Sequence, residues 1–143
     1  MSDRKLKNYD RYLQSLEMYI KASGLTIKYA TQPGDGSYSL KFRRITVDPD
    51  LTETEELAVI LHELGHSLDD LMVNKSTERA LTAAYTASEL NSATKEQRRR
   101  VLRCEKRAWK YARATAKKLN IPLGVWFDNI QAACLKDYKD AKK

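Results

Sequence analysis

The stretch Leu57–Met72, LAVILHELGHSLDDLM, contains both histidines of a chain of 143 residues. His62 and His66 are four residues apart, and Glu63 directly follows the first of them. Apolar residues recur at helical spacing through the stretch, at Leu57, Ile60, Leu61, Leu64 and Leu68. Because residues four apart lie one above the other on a helix, the two imidazoles are expected on one face. The HExxH pattern therefore predicts a helix that offers two nitrogen ligands to one metal ion.

Glu63 is one position round that helix from His62, so it is expected beside the metal without binding it. A carboxylate there can act as a general base on water that the metal has made more acidic. The residues indicate hydrolysis of a polarised carbonyl with Zn²⁺ as cofactor, His62 and His66 as ligands and Glu63 as the catalytic base. Gly65 stands inside the same helix, and such a glycine is typical of close approach by another backbone or by a substrate.

A zinc hydrolase needs a third protein ligand, and no histidine remains to provide it. The ligand is therefore expected to be a carboxylate or a cysteine. Glu105 lies within an apolar stripe at helical spacing, formed by Val101, Ala108, Ala112, Ala116 and Leu119. A carboxylate buried there needs a compensating positive charge, which a metal held by two histidines supplies. We expect Glu105 to be the third ligand.

Other polar residues are alternatives for the same chemistry. Glu78 also lies on the apolar side of its helix, although a glutamate in a first helical turn is favoured by the helix dipole without any metal. Asp69 and Asp70 lie one turn beyond His66 and could bind the metal directly or orient a ligand. Tyr85 and Tyr111 could each donate a hydrogen bond to the oxyanion formed during hydrolysis.

Length and composition are those of one globular domain, residues 1–143, with 42% hydrophobic and 31% charged residues. No run approaches the length of a membrane span and no signal peptide is recognisable, so a cytoplasmic protein without a membrane partner is expected. Two cysteines, Cys104 and Cys134, are too few for a disulfide framework, and both are expected to be reduced.

Charge is distributed unevenly along the chain. Residues 1–72 carry 9 Lys plus Arg against 12 Asp plus Glu, whereas residues 73–143 carry 17 against 7. Much of the excess lies in residues 94–119, which are expected to form one long basic helix. A solvated helix face explains such a run, but weak, salt-sensitive contact with nucleic acid is also compatible with it.

Hydrophobic periodicity predicts an α+β fold. A helix is expected before Gly24, followed by three strands in LTIKYA, YSLKF and RITVD and a small, mainly antiparallel sheet. Capping boxes at Thr52 and Thr94 predict the starts of the HExxH helix and of the basic helix. Further helices are expected over about 78–90 and after Pro122.

The segments LAVILHELGH and CEKRAWKYARATAKKLNIP together resemble the ImmA/IrrE type of gluzincin, small bacterial and phage metallopeptidases. That family has a three-stranded sheet before the HExxH helix and a later ExxAxxFA segment, which corresponds here to Glu105, Ala108, Tyr111 and Ala112. The resemblance covers roughly residues 25–122 and implies a zincin-like helical bundle. It also implies His62, His66 and Glu105 as ligands and Glu63 as general base. Trp109 departs from the family pattern, which has a small polar residue there.

Two functional hypotheses follow. The first is a zinc-dependent endopeptidase of narrow specificity, and the family resemblance implies that its substrate is a protein such as a regulator or repressor. The second is a peptidase-like scaffold that binds nucleic acid or protein without catalysis. The presence of Glu63 favours the first, because a site that only holds metal needs no base.

Overall fold

The computed structural model describes residues 7–32, 37–39, 43–70 and 75–140. In this part of the chain five helices and three short strands follow one another in the order α1 Tyr9–Ala22, β1 Thr26–Tyr29, β2 Ser37–Ser39, β3 Arg44–Val47, α2 Glu53–Asp70, α3 Lys75–Glu89, α4 Lys95–Lys118 and α5 Val125–Asp140. The architecture is therefore mostly helical, with a small sheet between α1 and α2.

The sheet corrects the predicted topology. Its strand order is β1-β3-β2, with β1 parallel to β3 over four residue pairs and β2 antiparallel to β3 over three. The expectation of a mainly antiparallel sheet is wrong, because the longer ladder is parallel. β3 takes the central place since its alternation puts Ile45 and Val47 fully in the core, whereas β1 is largely exposed. Turn residues between β1 and β2 predict a reversal of the chain, but they do not determine which strand becomes the neighbour.

Helix starts follow from local capping. At α2 the backbone N–H of Thr52 donates to Oε1 of Glu55 at 3.0 Å, and the Thr52 hydroxyl donates to the same oxygen at 2.6 Å. At α4 the side chains of Thr94 and Gln97 form the predicted reciprocal capping box. α3 begins at Lys75, earlier than the expected start near residue 78. These caps fix where the two longest helices of the described chain begin.

The core lies where α1, α2, α4, α5 and the sheet meet. Its largest fully buried apolar side chains are Trp109, Phe127, Leu16, Ile20, Ile45, Leu57, Ile60, Leu61, Leu64, Val47 and Val101. The stripe predicted on the HExxH helix supplies four of them, so α2 is the central helix of the bundle. Among the described residues, no helix combines the length and the apolar character that crossing a bilayer requires.

Helices α2 and α4 contact each other more extensively than any other pair of elements in the described chain. Gly65 makes this packing possible: a Cβ built on it would lie 2.0 Å from the backbone oxygen of Ala108. The expectation that Gly65 marks close approach by another backbone is thus confirmed. The two helices that carry the candidate ligands are held backbone to backbone at this crossing.

Candidate metal centre

Three side chains of α2 and α4 converge at the crossing of these helices. The ligand-type atoms of His62, His66 and Glu105 all lie within 4.8 Å of one another, so this group could hold a metal ion. Nε2 of His62 is 3.1 Å from Oε1 of Glu105, and Nε2 of His66 is 2.8 Å from Oε2. One imidazole therefore faces each carboxylate oxygen.

The four-residue spacing of the histidines produces this arrangement. The imidazole rings of His62 and His66 lie 4.6 Å apart on the same face of α2, at an angle of 61°. Glu105 approaches from α4 and is only 1% exposed, as its place in the apolar stripe predicted. Sequence periodicity on two separate helices thus corresponds to one cluster in space.

The donor set fits a divalent transition metal. Two imidazole nitrogens and one carboxylate oxygen are ligands that Zn²⁺ takes in hydrolytic sites. Nε2 of His62 is buried and has no hydrogen-bond partner among the described residues, although Oε1 of Glu105 is close. An unpaired nitrogen in such a place costs free energy that a metal ligand bond would recover. The residues present therefore fit the ion that the HExxH pattern implies.

The histidines and Glu105 shift each other's proton affinity. Burial by itself would raise the pKa of Glu105, but the two imidazoles beside it lower that pKa well below its ordinary value. For His66 the effects have the opposite signs. Burial lowers its pKa, but hydrogen bonds with Cys104 and Glu105 raise it, and the resulting pKa lies well above the ordinary value of a histidine. Glu105 is therefore ionised at neutral pH and ready to act as an anionic ligand.

Glu63 lies beside the cluster without joining it. Its Oε1 is 3.5 Å from Nδ1 of His62, and its side chain is 15% exposed. Burial raises the pKa of Glu63, an effect that the nearby His66 and His62 partly offset. A raised pKa brings this carboxylate closer to the pH at which a general base is most effective.

The ligand Glu105 is held by a tyrosine from α3. The hydroxyl of Tyr85 donates to Oε2 of Glu105 at 2.5 Å. Burial and the charge of Glu105 raise the pKa of Tyr85, so its proton stays in place. Tyr85 was predicted as an oxyanion donor, but its hydroxyl is engaged by the ligand. Tyr111 is half-buried, and within the described residues it has no hydrogen bond to the three ligands.

Asp69 forms a buried polar contact behind His66. It is 3% exposed and accepts hydrogen bonds from Nε of Arg107 at 3.0 and 3.2 Å. Sγ of Cys104 is 3.7 Å from Asp69 and 3.9 Å from Nδ1 of His66. Asp69 does not join the three-residue group and, among the described residues, is linked to His66 only through the Cys104 thiol, so its orienting role stays a prediction. The side chains of Asp70 and Glu78 lie outside the described residues, so these two alternatives stay predictions.

Two neighbours of the site are not evident from the sequence. The Trp109 ring stacks on His62 with centroids 4.3 Å apart and an angle of 11°. Helix α5 places Sγ of Cys134 3.9 Å from Oε1 of Glu105, and burial together with the charge of Glu105 raises the Cys134 pKa to about 11. Both cysteines are free thiols, as expected. No local pattern in the sequence indicates either contact.

Replacing Arg107 with alanine should destabilise the protein by about 1–3 kcal/mol, because Asp69 would remain buried without a charged donor. Urea unfolding followed by circular dichroism measures the difference. Arg103→Ala is the matched control on the same helix, since Arg103 is exposed, and its effect should stay within about 0.5 kcal/mol. Equal stabilities of the two variants would show that the Asp69 contact contributes nothing.

A scan against protein-family models gives no match, and searches for similar curated proteins and similar solved structures give none either.

Proposed function

We propose that this chain is a zinc-dependent endopeptidase that resembles the ImmA/IrrE gluzincins and cleaves a protein substrate with narrow specificity. One observation carries the proposal: two histidines from α2 and a buried glutamate from α4 meet within 4.8 Å. The proposal also draws on Glu63, which stands next to this group but outside it. A centre that served only to hold a metal would need no additional carboxylate there.

His62, His66 and Glu105 would hold the ion, leaving other coordination positions for water and substrate. When bound, Zn²⁺ would act as a Lewis acid toward the scissile carbonyl and toward water. The carboxylate of Glu63 then takes the proton of the attacking water on Oε1 or Oε2 and passes it to the leaving amine. Tyr85 keeps Glu105 oriented through its 2.5 Å hydrogen bond.

The second hypothesis is a peptidase-like scaffold that binds nucleic acid or protein without catalysis, with the metal structural or absent. The basic second half of the chain favours it, because positive charge is suited to an anionic partner. The partly buried Glu63 favours hydrolysis. Burying this carboxylate beside the ligands is unfavourable for the fold, but it raises the pKa of Glu63 and so suits the side chain to act as a general base. The two hypotheses differ in what the loss of Glu63 should do: only the first expects a loss of turnover.

Purified protein should contain about one zinc per chain, because three protein ligands define one site. Elemental analysis of protein prepared in zinc-replete buffer measures this content. Iron in place of zinc would redirect the proposal toward oxygen chemistry, since two histidines and a carboxylate also bind ferrous iron. A protein that takes up no transition metal in a titration would contradict the proposed centre.

Glu105→Gln should weaken zinc binding by at least about 100-fold, because it removes the anionic ligand while keeping the side-chain size. Competition with a chromogenic chelator measures the affinity. Glu96→Gln is the control: Glu96 is exposed in the first turn of the same helix and should retain wild-type affinity. Similar affinities of the two variants would show that Glu105 is not a ligand.

A further inference from the structure

The exposed side of α4 carries a row of positive charges that the proposed peptidase does not use. Five exposed residues, Arg99, Arg103, Lys106, Lys110 and Lys117, recur at intervals of three, four or seven positions. These intervals place them on one face of the helix. We call this set the basic stripe. From its first to its last residue it extends about 27 Å, at 1.5 Å per residue.

Acidic side chains of the described residues do not neutralise the basic stripe. Two neighbouring arginines of α4 do have acidic partners: Arg107 forms a salt bridge with Asp69, and Arg113 forms one with Asp128. None of the five stripe residues has a salt bridge within the described part of the chain. Past Glu96, the one acidic residue of α4 is Glu105, which is buried at the metal centre. The positive charge of the stripe therefore faces solvent.

Such segregation is unfavourable for the helix, because like charges three and four residues apart repel. The first and last helices of the described chain mix the two signs. α1 has Arg11 and Lys21 with Glu17, and α5 has Lys136 beside Asp137. A mixed surface would give the same solubility without the repulsion. The stripe is thus best explained by a partner with a linear array of negative charge.

We propose that the basic stripe binds the phosphate backbone of nucleic acid. A duplex carries one negative charge per roughly 1.7 Å of its axis, so a 27 Å stripe can lie along about eight base pairs. The stripe consists only of lysine and arginine, residues suited to phosphate contacts, and binding is expected to be independent of base sequence. A protein partner with an acidic segment is the alternative that the experiment must separate.

The stripe and the metal centre lie on different sides of α4. With about 100° per residue, the middle of the stripe is roughly 120° round the helix axis from Glu105. Nucleic acid on the stripe therefore leaves the crossing of α2 and α4 uncovered. The inference does not depend on metal or on peptidase activity, and Glu105→Gln should bind nucleic acid as the wild type does.

The test is the salt dependence of binding to a fluorescent 20-base-pair duplex, measured by anisotropy. Five phosphate contacts predict a slope of log K against log salt of about −4.5. Changing Arg103, Lys106 and Lys110 to glutamine should make this slope shallower, about −2, because two phosphate contacts remain. A single-stranded RNA should show a similar but smaller change in the variant, from about −3.5 to about −1.4, because each phosphate contact on a single strand contributes about −0.7 to the slope.

The control variant changes Lys21, Lys28 and Lys136 to glutamine, which alters the net charge equally at exposed positions away from the stripe. Its slope should equal that of the wild type. The proposal is overturned if both triple variants lose the same slope, or if the wild type does not bind the duplex in 50 mM salt or so. Displacement of the duplex by polyglutamate at equal charge concentration would also overturn it, in favour of an acidic protein partner.

Discussion

Glu63→Gln is expected to lower the rate of peptide hydrolysis by about 10² to 10⁴ while the protein keeps its zinc. Glutamine has nearly the size of glutamate but cannot accept a proton from water. Since Glu63 lies outside the ligand group, the metal should be retained. Expression of both forms in a native host, followed by comparison of the proteomes, detects fragments produced only by the wild type.

Stability provides a second readout for the same variant. Burial raises the pKa of Glu63, so the carboxylate contributes stability below its unfolded pKa and loses that contribution as the pH rises through the folded pKa. At neutral pH the glutamine variant of the metal-free protein should therefore unfold at the same temperature or higher. Lost turnover would then not be a consequence of unfolding. Glu89→Gln, at the exposed end of α3, is the control and should cleave as the wild type does.

If Glu63→Gln holds zinc and reproduces every effect of the wild type, the peptidase hypothesis fails. The scaffold hypothesis would then account for the three metal ligands that meet between α2 and α4. If the variant loses its zinc, Glu63 belongs to the ligand set, and the assignment of a separate base to this position is wrong. The two outcomes are distinguished by one elemental analysis.

Gly65→Ala should cost at least about 3 kcal/mol in the free energy of unfolding, the range of severe overpacking. The new Cβ would lie 2.0 Å from the backbone oxygen of Ala108, and no side-chain rotation can relieve a contact with backbone. Helices α2 and α4 would have to separate, and their separation would pull Glu105 away from the histidines. The free energy of unfolding measured in urea and the zinc content should therefore decrease together.

Gly124→Ala is the matched control for this substitution. The nearest atom to a Cβ at Gly124 is a side-chain carbon of Trp126 at 3.1 Å, which can move by a few tenths of an ångström. We expect a loss below about 1 kcal/mol and unchanged zinc uptake. Equal stability of Gly65→Ala and the wild type would show that the close helix crossing is not required for the fold.

The three candidate ligands could be chosen from sequence because each obeys a local rule. His62 and His66 follow helical spacing, and Glu105 is a charged residue in an apolar stripe that only a compensating charge explains. The stacking of Trp109 and the approach of Cys134 could not be predicted in this way. Both depend on how α4 and α5 rotate against α2, a long-range property that hydrophobic periodicity does not encode.

The strand pairing of the sheet also depends on long-range packing that local sequence patterns do not predict. Alternation and β-branched residues locate β1 and β3, whose ladder joins Thr26–Tyr29 to Arg44–Val47. The choice between parallel and antiparallel pairing depends on which strand occupies the centre. That choice is made by the burial of Ile45 and Val47 on the side of the sheet that packs against α2, so it follows from packing and not from the turn that precedes β2.

The convergence of α2 and α4 on three side chains has a topological consequence. A metal held by His66 and Glu105 would join positions nearly 40 residues apart, closing a loop that contains all of α3. A covalent cross-link over a loop of about 40 residues lowers the free energy of the folded state relative to the unfolded chain by roughly 4 kcal/mol through chain entropy. The ion would then stabilise the fold in addition to taking part in the chemistry, and its removal would leave the chain more open to proteolysis.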